Sequence, residues 1–299
     1  MVHSPNIGVD LNWIIGIVIL VFIGFLLDRE IYFYEGTHLG PRLQAWLYDR
    51  WSGKYDEGKR ASQLQDDEML AQPLLEALRD VAEPFILDFA TGTGRLSLAL
   101  LNRAEFKGRI IALDLSQGML EQAVSKLSHA SSLRQENAVS PLSAKMKQVE
   151  FLRHLSLPLP FPDAVFDAVC ALEILELFPG MDEPLAELTR VLRPGGVLLT
   201  SRGTEESGRK AKVKSKKEIF ALLEKRGLEQ VQITKWWKLF DRVIAVKRGA
   251  SQPVPLRNLS EVLKCSSCQS SQWSKAPHLL KCQNCGKEFS IAEEGIILN

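Results

Sequence analysis

The sequence predicts an α/β fold: a largely parallel sheet with helices on both faces, an apolar helix before it and a small cysteine-rich module behind it. Three observations predict this. From about Phe85 onward, short apolar runs alternate with helical stretches, the pattern of strands joined by crossover helices. A glycine-rich turn, Asp88-Phe89-Ala90-Thr91-Gly92-Thr93-Gly94, sits between the first such strand and its helix. Composition also changes abruptly at both ends, with an uncharged apolar run at Leu11 to Leu27 and four of the five cysteines close to the C-terminus. The chain of 299 residues, 45% hydrophobic and 24% charged, suits one large domain with appendages. A formal net charge of +1 argues neither for nor against nucleic acid, so any such case rests on local charge.

The apolar run LNWIIGIVILVFIGFLL is bounded by Asp10 and by Asp28-Arg29-Glu30 and is apolar all round. At about 1.5 Å per residue it reaches the short end of a bilayer's roughly 30 Å hydrocarbon core. It lacks the basic start and small-residue cleavage site of a signal peptide. Residues 1–30 therefore read as a single-pass transmembrane anchor. No Lys or Arg precedes the run, whereas Arg29, Arg42, Arg50, Lys54, Lys59 and Arg60 follow it, which by the positive-inside rule puts the rest of the chain in the cytoplasm. Residues 31–80 form a helical linker or lid, with Leu43, Trp46, Leu47 and Tyr48, then Leu70, Leu74, Leu75 and Leu78, at helical spacing.

The main domain spans 81–250. Its strands are expected at 85–89, 109–114, 149–152, 167–171 and 197–201, followed by an antiparallel pair at 231–234 and 243–246. Helices fall at 95–102, after Ser116 with Leu120, Ala123, Val124 and Leu127 on one face, and at 183–191. Ser215-Lys216-Lys217-Glu218 is a capping box that opens a further helix through Leu223. The polar stretch 128–147 reads as an elaborated crossover, and Pro253-Val254-Pro255 as a linker.

A strand, a glycine turn and a helix together make a nucleotide-type site, because glycine lets the backbone turn sharply and lets a ligand approach the peptide groups. Asp114 ends the next strand twenty positions after Gly94, where a carboxylate can accept hydrogen bonds from both ribose hydroxyls. The turn is A-x-G-x-G led by an acid, not the G-x-G-x-x-G of a dinucleotide site. Asp88 would repel a pyrophosphate but suits the ammonium and sulfonium charges of S-adenosylmethionine.

Residues 85–205 resemble the Rossmann-like class I methyltransferase domain, in particular the type-11 group that includes ubiquinone and menaquinone C-methyltransferases. The resemblance is carried by Leu87 to Arg95, Ala112 to Leu120, Leu159-Pro160-Phe161-Pro162-Asp163 with Phe166-Asp167-Ala168-Val169, and Arg190 to Gly196. Upstream, Tyr48-Asp49-Arg50-Trp51 and Tyr55-Asp56 are similar to the family's lid segment. The resemblance implies S-adenosylmethionine as cofactor. Asp88 would face its amino-acid end, Ala90, Gly92 and Gly94 would line it with backbone, Asp114 would hold the ribose, and Leu115 and Met119 would pack on the adenine. Two positions depart from the family pattern. His154-Leu155 stands where the family has Gly-Asp, so Leu155 lies beside the adenine without the usual carboxylate, and backbone groups, Ser156 or His154 must read the base. Leu177 stands where the family often has a His.

Cys265-Ser266-Ser267-Cys268 and Cys282-Gln283-Asn284-Cys285 give two C-x2-C knuckles separated by thirteen residues. Such pairs complete a closed tetrahedral S₄ site, so Cys265, Cys268, Cys282 and Cys285 are expected to hold a structural zinc ion. The module, 256–299, resembles the small zinc-ribbon proteins that activate methyltransferases of RNA and translation factors, on Val262 to Cys268, Leu279 to Phe289 and Glu294 to Leu298.

Methyl transfer from a sulfonium is a direct displacement, and a base is needed only if the acceptor must lose a proton. Tyr55, His154 and Glu173 are candidates, and none is assigned. The leading expectation is a membrane-anchored enzyme that methylates a small or lipid-like acceptor, a quinone being one such acceptor that the resemblance suggests. An RNA or protein methyltransferase is the alternative, supported by the ribbon and by Arg209, Lys210, Lys212, Lys214, Lys216 and Lys217. A non-catalytic membrane protein that binds S-adenosylmethionine is a third reading, opened by Leu155.

Overall fold

The computed structural model describes residues 11–132, 147–207 and 213–299. Its centre is β1 (Phe85–Phe89), buried at every position, with β2 (Arg109–Asp114) and β4 (Phe166–Ala171) parallel on either side. Buried on both faces, such a strand has no need of polar alternation, which is why Phe85-Ile86-Leu87 reads as a continuous apolar run. Beyond β2 lies β3 (Val149–Arg153), and beyond β4 lies β5 (Leu192–Gly203), both parallel to their neighbours. The antiparallel pair β6 (Leu228–Trp237) and β7 (Phe240–Lys247) completes that side. The strand order is β6-β7-β5-β4-β1-β2-β3, so connections leave β1 in opposite directions and a crevice opens at the carboxyl ends of β1 and β4.

Alternation along the strands divides the core between two faces. Leu87, Ile111 and Val169 point to one side, joined by Leu185 and Leu188 of α6 (Asp182–Val191) and by Ile219 and Leu223 of α7 (Lys216–Lys225). Ile86, Ile110 and Ala168 point to the other, against Leu74 of α3 (Gln72–Ala77), Leu100 of α4 (Arg95–Asn102) and Ala123 of α5 (Gln117–Ser132). The capping box expected at Ser215 is present, Ser215 Oγ accepting from Glu218 N–H and Glu218 Oε2 accepting from Ser215 N–H at 2.7 Å. Helix α5 runs through Ser132, so the stretch expected to be irregular from Ser128 begins as helix, and its continuation at 133–146 lies outside the described residues.

The sheet does not stop at β3. After a four-residue helix α8 (Leu259–Val262), the C-terminal module forms β8 (Trp273–Ala276), β9 (Leu279–Cys282), β10 (Glu288–Ile291) and β11 (Ile297–Leu298). Strand β11 pairs in parallel with β3, matching Ile297 to Leu152 and Leu298 to Arg153. The described strands thereby form one eleven-stranded mixed sheet.

The N-terminal expectation requires correction. Leu11–Asp28 is a helix, α1, yet among the described residues no helix is long and apolar enough to cross a membrane. Asn12 and Asp28 bracket the apolar stretch, and Trp13 to Leu27 rises only about 22 Å against a roughly 30 Å hydrocarbon core. The single-pass anchor, the membrane localisation and the cytoplasmic orientation drawn from its basic flank fall together. From α1 the chain turns through Arg29–Phe33 and Thr37–Leu39 into the long helix α2 (Pro41–Gln63), which packs on α5. The approach is close at Gly118, where a Cβ would lie 2.9 Å from Ser52 Oγ and 3.1 Å from Asp49 Cα. Helix α2 thus roofs the crevice.

Candidate active site

The glycine turn crosses the mouth of the crevice. Ala90, Gly92 and Gly94 all adopt left-handed backbone, with φ of 55°, 55° and 74°. Glycine does so freely, whereas Ala90 is strained there, as side-chain-bearing residues at ligand-contacting turns often are. A Cβ at Gly94 would meet the Ala123 Cβ of α5 at 3.0 Å, so glycine also lets the turn sit against that helix.

Two carboxylates anchor the turn. Asp88 Oδ2 accepts from Thr91 Oγ1 at 2.6 Å and from Ser97 Oγ at 3.0 Å. Asp114 Oδ2 accepts from Gly92 N–H at 2.8 Å, while its Oδ1 accepts from Ser116 N–H at 2.9 Å. Burial pushes both carboxyls up to about 6, outweighing these hydrogen bonds. Both are therefore acids whose charge is costly in the free protein and would gain from a cationic or hydroxyl-bearing ligand.

Helix α2 supplies the opposite wall. Asp49 Oδ1 accepts from Ser116 Oγ at 2.6 Å and from Gly118 N–H at 2.9 Å, so it caps α5 from outside. Asp56 accepts from Thr93 Oγ1 at 2.6 Å and pairs with Lys126 at 2.5 Å. Arg95, the first residue of α4, grips both Asp66 oxygens at 2.6 and 2.8 Å and reaches Glu173 at 2.9 Å. Glu173 also pairs with Lys59 and sits in left-handed backbone at φ 56°, its N–H donating to Ser201 Oγ at 2.6 Å. These ion pairs tie the roof to the turn.

The enclosed space forms a track. A cavity of about 310 Å³ is lined by Asp114, Leu115, Leu155, Ser156, Gln44 and Leu177. It continues past Gly92, Met119 and Tyr55, then past Asp88, Thr93 and Arg95, in two narrower parts of about 50 and 40 Å³. A second chamber of about 400 Å³ lies beyond, walled by Tyr48, Trp51, Tyr55 and Phe240. Tyr48, Tyr55 and Glu173 face both the track and this chamber.

Each position singled out in the sequence around the turn falls on or beside this track. Asp88, Ala90, Gly92, Asp114, Leu115, Met119 and Leu155 line it, and Gly94 opens α4. The three candidate bases fare differently. His154 is taken up by the Pro158 carbonyl at 3.2 Å and by the Asn299 side chain at 3.0 Å, and burial lowers its pKa. Glu173 is held by two cations. Tyr55 is buried, which raises its pKa and keeps its proton in place. Of the basic loop, Arg209, Lys210 and Lys212 lie outside the described residues. Sequence reasoning missed Asp49, Asp66 and Glu176. The first lies in the Tyr48-to-Trp51 segment already likened to a lid, whereas the other two belong to no motif.

The four cysteines converge, with all sulfurs within 4.8 Å of one another. Cys265 and Cys285 Sγ are 3.5 Å apart, Cys268 and Cys282 Sγ 3.6 Å. With zinc–sulfur bonds of about 2.3 Å, a tetrahedral site spaces its sulfurs by a little under 4 Å, so the donor set and its dimensions fit zinc.

Residues 87–200 match the family model described as a methyltransferase domain. The demethylmenaquinone methyltransferase of Lactobacillus johnsonii is 30% identical over 161 residues, 53% of this chain and 61% of its own length. That of Thermus thermophilus is 31% identical over 153 residues, 51% and 62% respectively. The chain thus spans less than two thirds of these relatives. A crystal structure of a SAM-dependent methyltransferase from Aquifex aeolicus has the same fold, with a TM-score of 0.50 at 22% identity over 66% of this chain and 97% of that one.

Proposed function

We propose, from the premise that residues 87–200 are a class I S-adenosylmethionine-dependent methyltransferase domain, that the chain transfers the sulfonium methyl to a small quinol-type acceptor. The observation that carries this reading is the aromatic chamber of about 400 Å³ opening from the far end of the turn, a size suited to a bicyclic ring rather than to a nucleic-acid strand. The relatives' names point to the same acceptor class.

In this reading the cofactor lies along the track. Asp114 accepts from the ribose hydroxyls, the backbone of Ala90, Gly92 and Gly94 lines the cofactor's middle, and Asp88 faces the ammonium end. Leu115 and Met119 pack on the adenine with Leu155 beside them. Gln44, His154 and Ser156 are among the polar groups that line this cavity and could read the base's edge. Catalysis then rests on alignment of acceptor, methyl carbon and sulfur, with Tyr48, Tyr55 and Glu173 forming the passage between cofactor and acceptor. Cys265, Cys268, Cys282 and Cys285 would hold zinc as a structural ion, leaving no coordination position open for chemistry.

Calorimetry with S-adenosylmethionine and its demethylated product tests the cofactor, with micromolar binding expected. Labelled methyl transfer into the lipid, RNA and protein fractions of a lysate then tests the acceptor. Label confined to RNA or protein would replace the quinol reading with the macromolecular one.

A further inference from the structure

Among the described residues, the acceptor chamber contains one buried acid with no ion-pair partner. Glu176, in the short helix Leu175–Leu177 after β4, is only 3% exposed. Its Oε1 accepts from Gly203 N–H at 2.6 Å, but its Oε2 is buried with no hydrogen-bond partner among the described residues. Ser207 Oγ, which lines the same chamber, is likewise buried and unpartnered among them. Both stand at Gly203, where a Cβ would lie 3.4 Å from Ser207 Oγ and 3.5 Å from Glu176 Oε1. Buried polar atoms are nearly always paired, so two orphans facing one chamber mark where a ligand's polar groups belong.

The neighbouring charges are already committed. Arg202 is engaged by Asp241 at 2.7 Å and Glu205 at 2.6 Å, Glu173 by Lys59 and Arg95, and Glu35 by the Tyr48 hydroxyl. Tyr55 keeps its proton. Among the described residues Glu176 is the buried carboxyl of the chamber without an ion-pair partner, and burial, reinforced by the Glu173 charge, raises its pKa and with it its basicity.

Resting on the methyltransferase reading, we infer that Glu176 is the catalytic base for a hydroxylated aromatic acceptor of the hydroquinone class, and that Ser207 binds the acceptor's second oxygen. The acceptor O–H bond breaks and its proton passes to Glu176 Oε2. The electron pair left on oxygen, delocalised onto the adjacent ring carbon, forms a bond to the methyl carbon as the S–CH₃ bond breaks and its pair stays on sulfur. The hydrogen on that ring carbon then leaves as a proton to solvent while Glu176 returns its proton to the oxygen. The sulfonium has become a neutral thioether, and one proton is released overall.

The test uses the full chain, labelled S-adenosylmethionine and 1,4-dihydroxynaphthalene in single-turnover reactions from pH 5 to 9. Glu176→Gln keeps the Gly203 hydrogen bond and should leave affinity for S-adenosylhomocysteine and cooperative unfolding intact. It should slow transfer about 100-fold, the usual worth of a general base, and remove the acid limb of the pH–rate profile. Glu176→Asp should restore part of the rate and the acid limb, and Ser207→Ala should raise the acceptor concentration needed for half-maximal transfer with little change in the maximal rate. Wild-type rate and acid limb in Glu176→Gln would overturn the assignment. So would a chain that binds S-adenosylhomocysteine yet methylates no dihydroxynaphthalene. A chain that binds no S-adenosylhomocysteine would instead overturn the methyltransferase reading beneath it.

Discussion

Replacing Asp114 by Asn separates a role in binding from a role in folding. In the protein each oxygen of Asp114 accepts one backbone N–H, from Gly92 at 2.8 Å and Ser116 at 2.9 Å. An amide has one acceptor oxygen, so its NH₂ must face one of those N–H donors, and a buried donor left unpaired costs about 1–3 kcal/mol. Against this, burial has raised the carboxyl from 3.8 to about 6, which makes its ionised form costly by about 3 kcal/mol at neutral pH. Removing that charge offsets the lost hydrogen bond, so the thermal midpoint at pH 7.5 should move little. Affinity has no such compensation. Hydrogen bonds from two ribose hydroxyls to a carboxylate are worth about 1.5–3 kcal/mol each, and a neutral amide keeps roughly one ordinary bond of about 1 kcal/mol. A net loss of about 3 kcal/mol predicts roughly 150-fold weaker binding of S-adenosylhomocysteine. Calorimetry beside thermal unfolding reads both quantities. A folded Asp114→Asn chain that binds within fivefold of wild type would refute the ribose assignment.

The same carboxyls make stability and binding move in opposite directions with pH. Asp88 and Asp114 have folded pKa values raised from 3.8 to about 6, so the stability they contribute is present below about pH 4 and is lost as pH rises through about 6; unfolding titrations of wild type and Asp114→Asn should differ in that window. Binding needs the ionised forms, and each carboxyl alone makes affinity for S-adenosylhomocysteine rise about tenfold between pH 5 and 7, so the two together should raise it by up to about 100-fold. Arg193→Met should destabilise by about 3–5 kcal/mol, measured by urea unfolding. It leaves the fully buried Asp167 without the guanidinium that meets it at 2.5 Å. Metal analysis should return one zinc per chain, and a strong chelator should lower both the thermal midpoint and cofactor affinity, whereas an unchanged midpoint would mean that the cysteine cluster does not stabilise the fold.

How far the site was legible depended on whether its residues were neighbours in sequence. Asp88, the glycines and Asp114 could be read because strand ends and tight turns impose local composition. The capping box at Ser215 is equally local. Asp66 and Glu173 could not be paired with Arg95 in advance, since they join it across 29 and 78 residues of sequence. Some motif residues also proved structural. Arg193 and Asp167, which carry part of the family resemblance, form a buried pair, and Asp167 also accepts from Phe85 N–H at 3.0 Å at the start of β1. The apolar run at the N-terminus misled because its length sat at the margin: with Asn12 and Asp28 bracketing it, the helix forms but is not long and apolar enough to span.

The C-terminal module bears on the cofactor track through the edge of the sheet. Without β11, β3 would be an edge strand with open hydrogen-bonding groups, an arrangement that invites intermolecular pairing. Strand β11 covers that edge, and Asn299 N–H donates to Arg153 O at 3.1 Å. The Asn299 side chain meets His154 Nδ1 at 3.0 Å, Leu259 N–H donates to Glu150 at 2.7 Å, and Lys264 N–H donates to Pro160 O at 2.8 Å. The segment from His154 to Leu157, which walls the 310 Å³ cavity, is therefore fastened at both ends by the module that holds the four cysteines. Leu155 contributes an apolar surface there, and the position of that surface is set by the ribbon. If the four cysteines hold zinc as proposed, its loss should accordingly be felt at the Leu155 end of the track, proposed to take the adenine, before it is felt at Asp88, whose own fastenings, Thr91 and Ser97, lie on the turn and on α4.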